Sequence, residues 1–390
     1  MRSLYLLISF FLVAVAGVAR AAPSNEQLVY LVTWPHQLIV FDSVSEKIVD
    51  NVDLKSDITP NLVLSADKKQ LYALTNGQSR EIVTVDLATR KVIGSFSLNE
   101  GNRNVRVSAM VPDPTGRYLY GLANIVSKQL DRYEVEPPKF VVIDLMAQKI
   151  TRMVDFPKDE GFLDTRAQIK LSANGKNLYV FRDEILVFET AGFTLVKKID
   201  LAQPPVSDMQ NLTFSTVADP NEQAGEMTGL FTSSDPYVHR RVFGIARINL
   251  EQISFEFTPV GPETYTMTGL FQTPDRKLGY SVVTTNPAIG NLRYEFWAFD
   301  MRTGRIVNRR EFEGRNRLSQ FAISADGTKL FVSGAGYQLE VYDAHTLELR
   351  GVVEMPGDLA GNLVVMPLAA TSSAISSAPG HSAAFSFSTQ

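Results

Sequence analysis

Apolar positions in this chain come in short runs of strand length, separated by clusters of Asp, Asn, Ser, Thr and Gly, and this pattern predicts β-strands joined by turns. Phe321 to Asp343 shows the unit. Ala325-Asp326-Gly327 reads as a tight turn, because Asp bonds its own backbone and Gly accepts a positive φ. Leu330-Phe331-Val332 and Leu339 to Tyr342 are β-prone runs on its far side.

The unit recurs. Its first half returns as Ser65-Ala66-Asp67 before Leu71-Tyr72 and as Pro112-Asp113-Pro114-Thr115-Gly116 before Leu119-Tyr120. It returns again as Ser172-Ala173-Asn174-Gly175 before Leu178-Tyr179 and as Thr273-Pro274-Asp275 before Leu278-Gly279-Tyr280. Its second half, an apolar strand ending in an acid or amide, ends at Asp42, Asp86, Asp144, Glu189, Asn249, Asp300 and Asp343. These residues lie 44, 58, 45, 60, 51 and 43 positions apart, close to the roughly 40 to 50 residues of one four-stranded propeller blade. A turn and a further strand follow, as at Glu46 to Val49, Thr89 to Val92, Ala147 to Ile150, Thr303 to Ile306 and Leu347 to Arg350. The reading is all-β: a seven-bladed β-propeller of four-stranded antiparallel blades spanning residues 22–368.

Departures from the repeat carry further expectations. Leu28 to Thr33 resembles the second strand of later blades but has no strand before it, and Asn362 to Leu368 is a lone strand near the other end. Pairing the two closes the ring with both termini in one blade and removes two exposed edges. Insertions fall at Ser127 to Pro138, Ser233 to Arg241 and Thr285 to Tyr294, each between comparable strands, so they should emerge on one face. Lys128, Asp131, Arg132, Tyr133, Tyr237, Arg240, Asn291 and Arg293 on these insertions are the expected partner-binding residues. Gln203 to Glu226 loses the repeat, and 369–390, rich in Ala and Ser, is expected to be a disordered tail.

The ends and the charge set an address. Arg2, the apolar Leu4 to Val18 and the small-x-small Ala19-Arg20-Ala21 read as a cleavable signal over residues 1–21. That run is shorter than the roughly 20 residues of a membrane span, so no membrane anchor is expected and the periplasm is the expected location. Removing it takes two arginines and no acid, leaving 36 basic against 42 acidic residues, a formal charge of −6 that disfavours nucleic acid as a partner. Cysteine is absent, so packing and ladder hydrogen bonds must hold the fold without disulfides.

A search for chemistry finds little. Without Cys there is no haem attachment motif, thiolate metal site or cysteine-derived quinone in this chain. His36, His239, His345 and His381 are far apart, and no Gly-X-Ser-X-Gly elbow or phosphate-cradling glycine loop occurs. The acids ending the repeated strands read as turn caps, and Tyr118, Tyr120, Tyr179, Phe181 and Trp297 as packing between blades. Arg103 to Arg106 and Asp164-Thr165-Arg166 could line a central channel, with loop ion pairs as the plainer reading. No catalytic, cofactor-binding or metal-ligating residue is expected.

Four stretches together resemble the β subunit of quinohemoprotein amine dehydrogenase. They are Pro35-His36-Gln37-Leu38-Ile39-Val40-Phe41-Asp42, the insertion Tyr133-Glu134-Val135-Glu136-Pro137, the run Tyr342 to Glu348, and Met355-Pro356-Gly357-Asp358. The methylamine dehydrogenase heavy chain is similar in kind. The resemblance implies a periplasmic propeller that holds no redox centre and scaffolds a γ subunit bearing cysteine tryptophylquinone and an α subunit bearing two haems c. Two alternatives stay open: a stand-alone exported YncE-like propeller that binds a ligand or protein, and a lactonase-like hydrolase.

Overall fold

The computed structural model describes residues 27–56, 61–75, 80–160, 167–182, 184–199, 210–215, 219, 222, 225–235, 237, 240–262, 266–285, 292–313 and 318–366. The proposed signal at 1–21, the tail at 369–390, Asp164-Thr165-Arg166, His239, Asn291 and His381 lie outside the described residues.

Local chemistry makes the turns. The hydroxyls of Ser65, Ser172, Thr273 and Ser324 donate to the side-chain oxygens of Asp67, Asn174, Asp275 and Asp326 at 2.7, 2.8, 2.7 and 2.6 Å. Each hydroxyl also accepts the backbone N–H five residues on, of Gln70, Asn177, Leu278 and Lys329, at 2.9, 2.9, 3.1 and 2.9 Å. In the third blade Asp113 takes over, accepting from Tyr118 N at 2.8 Å. Gly175 and Gly327 close two of these turns at φ +72 and +75, where an L side chain is strained.

Strands between the turns pair with their sequence neighbours to build seven antiparallel sheets. Blade 2 is Asn61–Leu64, Gln70–Leu74, Glu81–Asp86 and Lys91–Ser97, and blade 4 is Gln168–Leu171, Asn177–Phe181, Ile185–Glu189 and Leu195–Ile199. Blade 5 runs through Gln210–Ser215, Glu226–Ser234, Arg241–Asn249 and Ser254–Pro262, and blade 7 through Leu318–Ile323, Lys329–Gly334, Gln338–Asp343 and Leu349–Glu354. In blade 6 the innermost strand is split into Thr266–Met267 and Phe271–Gln272, ahead of Leu278–Thr285, Arg293–Asp300 and Ile306–Phe312. All seven third strands end on the acid or amide read from the sequence.

Blade 1 is the exception that closes the ring. Leu28–Thr33, Gln37–Asp42 and Lys47–Asp53 take their innermost strand, Leu359–Val365, from the far end of the chain. Val29 pairs with Val365 and Thr33 with Leu359. Asn362 extends the closure to the next blade, accepting from Leu62 N at 2.7 Å and donating to Leu62 O at 2.9 Å. The sequence expectation of a shared terminal blade holds.

Packing follows from the alternation of the middle strands. Buried side chains meet between facing sheets, so each neighbouring pair of blades shares an apolar layer. Phe41 meets Phe331 edge-on at 5.8 Å across the joint between blades 1 and 7, and Phe140 packs on Phe188 and Phe193 at 4.7 Å between blades 3 and 4. Tyr179 and Trp297 lie in these layers, Tyr179 donating to Leu250 O at 2.9 Å and Trp297 packing on Phe243 at 5.6 Å. Among the described residues no helix is long and apolar enough to cross a membrane.

Antiparallel blades sort their connections onto two faces. First-to-second and third-to-fourth turns lie on one, here the turn face; second-to-third loops and blade-to-blade connections lie on the other, the loop face. The blade 3 insertion, read from the sequence as a lengthened loop, is built as a hairpin. Arg103–Pro112 and Tyr118–Lys128 run 10 and 11 residues, past the ends of other blades, and Tyr133–Val135 folds back onto the second as a hairpin. Lys139–Asp144 and Lys149–Asp155 complete the blade.

Candidate functional site

The loop face gathers the exposed aromatics. Among the described residues these are Trp34, Tyr133, Tyr237 and Tyr337, from second-to-third connections of blades 1, 3, 5 and 7. Leu130, Val135 and Leu292 join them there. Among the described residues of the turn face only Val44 and Met146 are exposed large apolar side chains; the rest in the described chain stand on outermost strands. Scattered apolar residues are normal, but aromatics confined to one face of seven equivalent repeats mark that face.

Two parts of this surface are firmly built. At the seam, Trp34 N donates to Asp358 O at 2.7 Å, Leu359 N to Gly336 O at 2.8 Å and Met355 N to Tyr337 O at 2.7 Å. Trp34 and Tyr337 therefore flank Met355 to Asp358. Gly357 is required there, since a Cβ would stand 2.6 Å from Trp34 O. Beside it His36 Nδ1 lies 2.8 Å from Asp53, whose carboxyl is held below its usual value by the Lys55 N–H and then by His36.

In blade 3 an ion-pair network anchors the hairpin. Arg103 grips Glu136 with Nε–Oε1 and Nη2–Oε2 contacts of 2.9 and 3.0 Å, Lys139 stands 3.3 Å from Glu136, and Lys139 also pairs with Asp155. Arg103 holds the Glu136 carboxyl below the usual range, and Glu136 raises Arg103 in return. Arg103 thus serves as an ion-pair partner, the plainer of the two sequence readings. Arg106 is exposed on the innermost strand, and burial followed by the charge of Arg106 lowers Arg80.

The structure brings the expected partner-binding residues onto this face where it describes them. Lys128, Asp131, Arg132 and Tyr133 are exposed on the hairpin, with Arg132 3.5 Å from Asp131. Tyr237 is exposed in the blade 5 loop, its N–H donating to Asp235 at 2.8 Å. Arg240 is exposed in that loop, and Arg293 lies 3.8 Å from Glu311 in blade 6. The sequence reading passed over Trp34 and Tyr337 because both sit in short connections; the signal available was an aromatic in a position where neighbouring blades carry polar turn residues.

The turn face holds a different arrangement, also missed in sequence. Where the repeat is lost, Asp219 and Glu222 in the first-to-second connection of blade 5 reach both neighbouring blades. Asp219 accepts from Gln272 N and Nε2 of blade 6 at 3.1 and 3.2 Å. Glu222 pairs with Lys170 of blade 4 and accepts from Thr228 N at 3.1 Å; burial pushes its carboxyl up, and Lys170 opposes this. Gln272 also borders a cleft of about 710 Å³ between blades 5 and 6, floored by Met227, Ile248 and Met301. Its charged wall is largely cross-linked: Arg276 to Glu226 at 2.9 Å and Arg247 to Glu256 at 3.2 Å. This cleft can hold a small polar molecule. No group of three or more His, Asp or Glu suited to a metal ion occurs among the described residues.

The class of protein this geometry defines is the seven-bladed β-propeller. No protein-family model and no curated protein matches the chain. Among solved structures it is similar to a functionally unknown protein from Desulfotomaculum acetoxidans, with TM-score 0.53, 14% identity, and 87% of this chain and 99% of that one covered. It is also similar to the periplasmic gluconolactonase PpgL of Pseudomonas aeruginosa, with TM-score 0.51, 14% identity and coverage of 87% and 98%. The dihydro-heme d1 dehydrogenase NirN matches with TM-score 0.50, 15% identity and coverage of 87% and 75%. At such identities the likeness is one of fold.

Proposed function

We propose that this chain is an exported propeller that works as a docking scaffold: the non-catalytic β subunit of a periplasmic quinohemoprotein amine dehydrogenase. In this reading the quinone-bearing γ subunit and the dihaem α subunit carry the chemistry of primary-amine oxidation, and this chain supplies shape and contact area. One observation carries it. Two of the four stretches behind the resemblance, Tyr133 to Pro137 and Met355 to Asp358, lie on the loop face together with the start of a third, Pro35 to Asp42, and the exposed aromatics Trp34, Tyr133 and Tyr337 stand in or beside them. Aromatic anchors amid a polar surface are the usual composition of a protein-binding patch. Without Cys this chain offers no attachment point for haem c or cysteine tryptophylquinone, and this reading assigns both to partner chains.

Purification of the chain from its native cells tests the proposal. A haem-bearing and a quinone-bearing chain should come with it in fixed ratio, and Trp34→Ala with Tyr337→Ala should release them. A chain that elutes alone overturns the reading. The turn-face cleft lined by Thr228 and Gln272, which Glu222 and Asp219 hold in place, favours a second reading, a stand-alone exported propeller that binds a small ligand. Its mark is a melting temperature raised by a small charged solute in the parent and unchanged in Glu222→Gln.

A further inference from the structure

We propose that the blade 3 hairpin strand Tyr133–Val135 is a site of β-strand addition, and that its occupant is an extended segment of a partner protein with an apolar–basic–apolar pattern. This rests on the docking reading and names the kind of partner element.

The geometry of the edge carries the first half. Tyr133–Val135 pairs with Ser127 and its neighbours and, among the described residues, with no other strand. Gln129 N donates to Arg132 O at 2.8 Å, and Glu136 N to Ile125 O at 2.9 Å, in the same register as the pair Glu134 and Ser127. Antiparallel ladders alternate, so Arg132, Glu134 and Glu136 turn their N–H and C=O groups inward. Those of Tyr133 and Val135 therefore point outward, at an edge open to another strand. The outermost strand of the blade, Lys149–Asp155, could have covered it but stops beside Lys139, and Phe156 N makes a last bond to Pro138 O at 2.9 Å. The edge ends there because Pro137 and Pro138 have no N–H to donate.

The side chains carry the second half. Tyr133 and Val135 share one face of the strand and are 69% and 71% exposed, an apolar pair waiting for residues at alternate positions of an added strand. Glu134 stands exposed on the other face, 3.4 Å from Gln129, with no cation bonded to it among the contacts described. A Lys or Arg at the middle of the added segment would sit opposite Glu134. The same residue argues against a second copy of this chain. An antiparallel self-pairing about this short strand sets Glu134 against Glu134, like charges at the closest cross-strand distance.

The test uses the full chain and a seven-residue capped probe, Ser-Thr-Val-Lys-Val-Thr-Ser, beside its Lys→Glu version, with amide exchange as the readout. The lysine probe should slow exchange at Tyr133 and Val135 and bind about fivefold tighter at low salt than the glutamate probe. Val135→Pro, which removes an outward N–H and leaves the inner ladder intact, should abolish the protection, and Glu134→Lys should reverse the preference between probes. An unchanged far-UV spectrum and melting temperature show that both variants fold. Equal protection by both probes, protection at other amides only, or protection that grows with protein concentration alone overturns the proposal, the last in favour of a second copy. If Trp34→Ala with Tyr337→Ala still releases the native partners while Val135→Pro does not, strand addition falls and the docking reading stands; a wild-type chain without partners removes both.

Discussion

The two faces of this propeller are made from the same seven repeats, yet they differ in what their residues do. On the turn face the repeated Asp, Ser and Thr side chains are occupied by their own turns: Asp42 accepts from Val44 N, Ser45 N and Ser45 Oγ at 3.2, 3.1 and 2.6 Å, and Asp300 accepts from Thr303 N and Oγ1 at 2.7 and 2.9 Å. On the loop face the connections vary in length, and aromatic side chains stand in solvent. A turn that must satisfy its own backbone has little freedom to vary, whereas a connection between blades is free to carry contact residues. The difference teaches where the constraint lies: the repeated turns of one face satisfy the fold's own backbone, and the connections of the other leave aromatic side chains in solvent, as the proposed docking role needs.

The comparison breaks most severely if the ring is opened. Deleting 360–365 removes the innermost strand of blade 1, with buried Leu363, Val364 and Val365. At about 2 kcal/mol or more per buried aliphatic side chain plus the lost ladder, the loss reaches the whole stability of an ordinary domain, and the variant should show no cooperative melting transition by calorimetry. Phe331→Ala, at a fully buried position between blades 7 and 1, should cost about 3–5 kcal/mol in denaturant titration.

Turn-face acids come next. Asp42→Ala leaves the N–H groups of Gln27, Val44 and Ser45 without their acceptor and should cost about 1–3 kcal/mol. These carboxyls also set an acid limit. Hydrogen bonds from Thr89, from Thr303 N and from Thr346 N hold Asp86, Asp300 and Asp343 below 3.8, and in Asp42 bonds led by Ser45 outweigh burial, which acts the other way. A folded value below the unfolded one contributes stability that is complete above about pH 4 and is lost as pH falls through the folded values. The melting temperature should therefore drop below pH 4, and Asp86→Asn with Asp300→Asn should shrink that drop.

The smallest effect on stability belongs to the loop face. Trp34→Ala with Tyr337→Ala should change unfolding free energy by less than about 1 kcal/mol while removing partner assembly. A large stability loss, or assembly that survives, would erase the distinction between the faces.

Much of this was legible in the chain. Ser-x-Asp and Asp-x-x-Thr turns declare themselves because each satisfies its own backbone with side chains two to five residues away, and all seven third strands ended where Asp42, Asp86 and their equivalents said they would. Even the closure could be read, since Leu28 to Thr33 and Asn362 to Leu368 were each strands lacking a partner, although the strand that pairs begins earlier and is Leu359–Val365. Lys170, Asp219, Glu222 and Gln272 could not be, because they come from three blades and meet only when the ring closes. Nor could Trp34 and Tyr337, 303 positions apart in the chain.

By itself, then, the sequence determined the repeat, its number and the place of closure, because those depend on contacts within about 50 residues or on a missing partner strand. Tertiary structure alone decided that the blade 3 insertion is a hairpin with an open edge, that Arg103 is committed to Glu136, and that Trp34 and Tyr337 stand exposed on the face of the insertions. The physical reason is the same in each case: exposure and ion pairing depend on distances between strands, within a blade or across blades, which the order of residues along one strand does not contain.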